Sequence, residues 1–174
     1  MMDKIIFTGP MGAGKTTAIG TISEVPPIAT EVPCTDETKL RKETTTVALD
    51  YGYLTLEDNN RVHLYGTPGQ ERFNYMWTIL CRGGIGLVLL VDNAKPEPLA
   101  DLVFYLDAFN DFIQQTSAVI GVTRMDISRQ VTLEDYSNKL LERKQILPVF
   151  EVDARQPNDV KILIQALLAS LQTD

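Results

Sequence analysis

Residues Gly9-Pro10-Met11-Gly12-Ala13-Gly14-Lys15-Thr16 have the spacing G-x-x-x-x-G-K-T, the pattern of a loop that wraps phosphate. Turning several backbone N–H groups onto one anion needs conformations that glycine permits, and Gly9, Gly12 and Gly14 suit that task. Lys15 would sit on the β- and γ-phosphates of a nucleotide, and Thr16 would give its hydroxyl to Mg²⁺. The apolar run Ile5-Ile6-Phe7 precedes the loop. A helix-like segment follows, and its positive N-terminal end would face the same anion. The expected phosphate-binding set is Gly9, Met11, Gly12, Ala13, Gly14, Lys15, Thr16 and Thr17. A dinucleotide fingerprint does not fit, because Thr17 stands where G-x-G-x-x-G has its last glycine.

The elements that must hold this loop can be read in order. Residues 4–8 predict a buried strand and 15–24 a helix. Pro26, Pro27 and Pro33, with the polar run from Thr35 to Glu43, predict a long surface loop over 25–43,. Thr46 to Leu56 alternates as a strand, Asp58-Asn59-Asn60 turns, and Arg61 to Tyr65 returns as its hairpin partner,. A second loop, Gly66 to Phe73, leads to a short helix over 75–81. Ile85 to Val91 is nearly all apolar, as in a parallel strand covered on both faces,. Leu99, Leu102, Val103, Leu106, Phe109 and Ile113 form one helical stripe. Val119 to Val122 is another strand, and Thr132 with Asp135 resembles a capping box,. Pro148 to Val152 is a last strand, and Val160 to Leu171 an amphipathic helix.

After the hairpin, strands and helices alternate. The pattern predicts a three-layer α/β/α sandwich on a mostly parallel six-stranded sheet with one antiparallel edge strand, the P-loop nucleotide-hydrolase architecture, as a single domain over 1–174. Right-handed crossovers would gather the loops after each strand at one edge. The length of 174 residues suits one core,. A net charge of −7 argues against nucleic acid or an anionic membrane as the main partner,. Cys34 and Cys81 lie far apart and read as reduced thiols, and the single His63 reads as structural,. Neither a signal peptide nor a lipidation motif is visible, so the expected location is cytoplasmic, with membrane recruitment only through a partner.

With these positions on the page, the chain resembles the Ras-like small GTPases over nearly its full length. The order is P-loop, threonine strand, Pro68-Gly69-Gln70 loop, Thr123-Arg124-Met125-Asp126 loop and Asp153-Ala154-Arg155 loop. Thr44 to Gly52 and Leu64 to Gln70 look most like the prokaryotic branch, which works with roadblock-fold partners. The resemblance implies a small G-protein fold that binds GTP or GDP with Mg²⁺ and hydrolyses GTP slowly. It implies signalling through switch loops to an effector and an activating protein. Thr46 would be the switch threonine, joining Thr16 on the metal, with Thr44 and Thr45 as other candidates. Gln70 would orient the attacking water and Gly69 would read the γ-phosphate; Lys15, Thr46 and Gln70 form the implied catalytic set. Asp126 would accept two hydrogen bonds from guanine, flanked by Thr123, Arg124, Ala154 and Arg155.

The chain also departs from that pattern. Gly66 stands where the eukaryotic pattern has an acid that helps hold Mg²⁺. Thr123-Arg124 replaces the usual Asn-Lys, and the Arg124 guanidinium is expected to stack along the base. Met11 puts a bulky side chain near the γ-phosphate. Asp92, after the strand Leu87 to Val91, also reads as the metal aspartate of an ATP-dependent P-loop enzyme, whereas in the Ras-like reading it is structural. A pseudo-GTPase interaction module with negligible turnover is the remaining alternative.

Overall fold

Alternation along the inner strands sorts the core into two halves. In β1 (Asp3–Thr8) of the computed structural model, Ile5 and Phe7 face one way and Ile6 the other. In β5 (Gly86–Asp92), Val88 and Leu90 join the first half, and Leu87, Leu89 and Val91 the second. Strands buried on both faces need helices on both faces. Helices α1 (Lys15–Ile22) and α6 (Pro157–Leu171) cover the first half with Ala18, Ile19, Val160, Leu163, Ile164 and Leu167. The second is covered by α2 (Asn74–Cys81), α3 (Pro98–Ala108), α4 (Asn110–Gln115) and α5 (Leu133–Glu142). The structure describes residues 3–35, 44–68 and 74–172, and side chains outside 29–48. Gly69 and Gln70 lie outside the described residues, as does the side chain of Thr46.

The remaining strands are β2 (Ile28–Thr35), β3 (Thr44–Thr55), β4 (Arg61–Gly66), β6 (Ala118–Thr123) and β7 (Val149–Glu151). Their order is β2-β3-β4-β1-β5-β6-β7. β3 alone runs against the others, pairing antiparallel with β2 and β4, while β1, β4, β5, β6 and β7 pair in parallel. The mostly parallel α/β sheet with one antiparallel strand is therefore as expected. The seventh strand is not. Residues 28–35, read as loop, add β2 outside β3, so the antiparallel strand is one place in from the edge. Pro33 made this segment look like loop, but an edge strand tolerates proline because one side of its ladder has no partner.

The 99–113 stripe is also divided. Phe109, at φ −103° and ψ 12°, closes α3 and opens α4, though Phe109 and Ile113 still donate to the carbonyls of Tyr105 and Phe109. The capping box is present: Thr132 and Asp135 bond each other's N–H groups at the start of α5. His63 is held within the hairpin, its Nδ1 2.7 Å from the Tyr51 hydroxyl. No helix among the described residues is long and apolar enough to cross a membrane.

Candidate nucleotide-binding site

The described loops that carry the motifs leave the carboxyl edge of the sheet, where ligands bind in folds of this kind. After β1 the chain turns through Gly9, Gly12 and Gly14, with φ of 144°, 81° and 104°. Gly9 has a second constraint: a Cβ there would stand 2.1 Å from the Leu90 carbonyl oxygen of β5. The loop is thus pressed onto the sheet, and α1 begins at once. No side chain caps α1, so its first-turn N–H groups are open to an anion.

Lys15 is 7% exposed. Its ammonium donates to the carbonyls of Gly9 at 2.6 Å and Pro10 at 2.9 Å. Burial lowers its pKa to about 8; the Asp50 carboxylate opposes that shift and Lys95 adds to it. The neighbouring Thr16 hydroxyl donates to Oδ2 of Asp50. A hydroxyl beside a carboxylate is the hard oxygen donor set that Mg²⁺ takes together with nucleotide phosphates, so these residues fit that ion. No group of three or more His, Cys, Asp or Glu able to hold a metal occurs among the described residues.

A cleft of about 650 Å³ adjoins the P-loop, within the range of small-molecule sites. It is lined by Gly12, Ala13, Gly14 and Thr17, by residues 123–127 after β6, and by residues 151–155 with Asp159. Nine of the expected site residues meet there: the four from the P-loop and α1, with Thr123, Arg124, Asp126, Ala154 and Arg155. Met11 does not. It is 59% exposed and lines a separate groove with Pro10, Lys95, Pro96, Glu97, Asp101 and Tyr105. Thr46 lies within β3, its backbone paired with Pro33 of β2.

Three ties hold the walls of the cleft. Thr123, buried, donates its hydroxyl to the carbonyls of Ala13 at 3.0 Å and Val91 at 3.2 Å. Its part is to join β6 to the P-loop. Asn93 pins the loop that carries Asp126, donating to the carbonyls of Ser128 and Val131 and accepting the Tyr136 hydroxyl at 2.7 Å. The Thr21 hydroxyl donates to the Ala154 carbonyl at 2.8 Å, joining α1 to the loop after β7.

Two arginines are already engaged. Arg124, left-handed at φ 58°, donates from Nη1 to Asp92 Oδ2 at 3.0 Å. Its guanidinium is therefore directed to a buried carboxylate, where the sequence suggested a place along the base. Asp92 also accepts the Ala94 N–H at 2.9 Å, so both of its oxygens have partners. Arg155 grips Asp153 through Nε and Nη2 at 2.9 and 2.8 Å, and this pairing holds the Asp153 carboxyl down at about 2. Sequence reasoning did not place the Asp50 carboxylate beside Thr16.

A family model described as a conserved hypothetical ATP binding protein matches residues 28–173. The chain belongs to that family. The match begins beyond the P-loop, whose G-x-x-x-x-G-K-T spacing stands in addition to it. Among similar proteins, the uncharacterized protein MJ1339 of Methanocaldococcus jannaschii is 30% identical over 53% of this chain and 52% of its own length. The Ras-related protein RabC of Dictyostelium discoideum is 24% identical over 97% of this chain and 83% of its own. The Ras-related protein Rab-12 of Mus musculus is 26% identical over 73% of this chain and 51% of its own. The chain thus spans about half the length of two of these three relatives. The family match and the Ras-related likenesses together support a nucleotide-binding, GTPase-like protein of the P-loop superfamily.

Proposed function

We propose that this member of the ATP-binding family is a molecular switch that binds GTP or GDP with Mg²⁺ and hydrolyses GTP slowly. The observation that supports it best is the cleft that brings the P-loop, Asp126 and Ala154 into one site. Lys15 would leave the Gly9 and Pro10 carbonyls for the β- and γ-phosphates. Asp126 would accept the N1–H and amino protons of guanine, a donor pair that adenine lacks. Gln70 would orient the attacking water. Its oxygen bonds to the γ-phosphorus as the bond to the β–γ bridging oxygen breaks, and the water's proton leaves with the phosphate. Thr16 and Thr46 would hold Mg²⁺, which neutralises charge on the phosphates when bound. Loss of the γ-phosphate would release the segment around Thr46, and that change would be read by protein partners, an effector and an activating protein, among them a roadblock-fold protein.

The family description favours a second reading, in which the nucleotide is ATP. Asp92 supports that reading poorly as a metal ligand, since Arg124 and the Ala94 N–H occupy it. One experiment separates the two. The purified protein is denatured, the released nucleotide is identified, and GDP, GTP, ADP and ATP are ranked by direct binding. Guanine nucleotide with micromolar or tighter affinity supports the switch. Adenine preference overturns guanine recognition by Asp126.

A further inference from the structure

We propose that Asp50 of β3 is the carboxylate that retains Mg²⁺ at the nucleotide site, a role that glycine at position 66 leaves unfilled on β4. The inference rests on the proposed Mg²⁺–nucleotide reading. Three observations carry it. First, Asp50 Oδ2 accepts the hydroxyl of Thr16, the P-loop residue directed at the metal, and its charge is felt by Lys15. Its carboxylate therefore lies against Thr16 and acts electrostatically on Lys15, the two side chains that would meet the ion and the phosphates.

Second, Asp50 and Gly66 are cross-strand partners and share one space. A Cβ on Gly66 would lie 3.2 Å from the Asp50 Cβ, 3.4 Å from its Oδ2 and 3.2 Å from Ile19 Cδ1. The two 3.2 Å contacts are tighter than ordinary packing, so a full side chain at 66 would compete with Asp50 for its place. Third, Asp92, the acid that ends β5, is committed to Arg124 and the Ala94 N–H. Among the described residues, the side-chain partner of Asp50 is the Thr16 hydroxyl, which can itself turn to a metal.

Moving the carboxylate to β3 has a mechanical result. β3 also carries Thr46 and runs beside β2. The ion would then link the P-loop to β3, and shifts of that strand would alter Mg²⁺ retention directly.

The test follows release of tritiated GDP from full-length protein by filter binding, with and without excess Mg²⁺. In the wild type, Mg²⁺ should slow release. Asp50→Asn, which keeps the shape, should need roughly 10–100-fold more Mg²⁺ than the wild type for the same proportional slowing of GDP release relative to its own rate in EDTA. The double variant Asp50→Gly/Gly66→Asp, which returns an acid to the same space from β4, should recover part of the response. An Asp50→Asn protein with the wild-type Mg²⁺ response overturns the role of Asp50 and leaves the Mg²⁺–nucleotide reading standing. A wild type that binds GDP without any Mg²⁺ response, or does not bind it, overturns both.

Discussion

Replacing Lys15 with methionine keeps most of an apolar stem and removes a buried charge. Burial moves the Lys15 pKa from 10.5 to about 8, and each unit is worth about 1.4 kcal/mol. The ammonium thus costs about 3 kcal/mol of folding stability at neutral pH. The folded pKa is the lower one, so the unfolded chain binds the extra proton. The penalty is complete below pH 8 and is relieved as the pH rises from about 8 to 10.5,. Between pH 7 and 9.5 it shrinks by about 2 kcal/mol. The assay is urea unfolding of nucleotide-stripped wild type and Lys15→Met at these two pH values. The carbonyl contacts of Gly9 and Pro10 are lost in the variant at either pH, so the change in the stability difference is the diagnostic quantity. The wild type should gain about 2 kcal/mol on the variant between pH 7 and 9.5. A difference that stays constant would refute the burial argument for Lys15.

Gly9→Ala should destabilise the protein by roughly 3 kcal/mol or more, because its Cβ would meet the Leu90 carbonyl at 2.1 Å,; a thermal melt within a degree of wild type would contradict that packing. Tyr136→Phe removes a buried hydroxyl from Asn93 and should cost about 1–3 kcal/mol in chemical denaturation, with nucleotide affinity falling as the Asp126 loop loosens. Asp126→Asn should erode the preference for guanine over adenine by roughly 100-fold, and an unaltered ratio in competition binding would move base recognition elsewhere. Gln70→Leu should retain GTP while slowing single-turnover hydrolysis, whereas an unchanged rate removes Gln70 from the chemistry.

Most of the fold was legible because the signals were local and strong. The P-loop glycines, the nearly all-apolar β5 and the α5 capping box each announce themselves within a few residues. β2 was hidden by Pro33, since proline reads as a strand breaker until a sheet edge is known to be available. The break at Phe109 was hidden because its bonds to Tyr105 and Ile113 preserve helical periodicity across the joint. At the site, the lining residues were readable from motif order. Asp50 and the Arg124–Asp92 pair were not, because each depends on a contact between distant elements. Thr16 meets Asp50 34 positions on, and Arg124 meets Asp92 32 positions back. Spacing rules do not report such contacts, whereas an unexpected glycine at 66 hints at one.

The only tryptophan of the chain, Trp77, sits at the base of the second loop. It stacks on Phe109 with ring centroids 5.2 Å apart, and its indole N–H donates to the Pro68 carbonyl at 3.3 Å. Pro68 immediately precedes Gly69 and Gln70. Indole emission shifts with the polarity and hydrogen bonding of its surroundings, so any rearrangement that pulls Pro68 away or admits water beside α2 will change this one intrinsic signal. These 174 residues therefore carry, in their one tryptophan, a built-in optical reporter of the chain at Pro68 that needs no label.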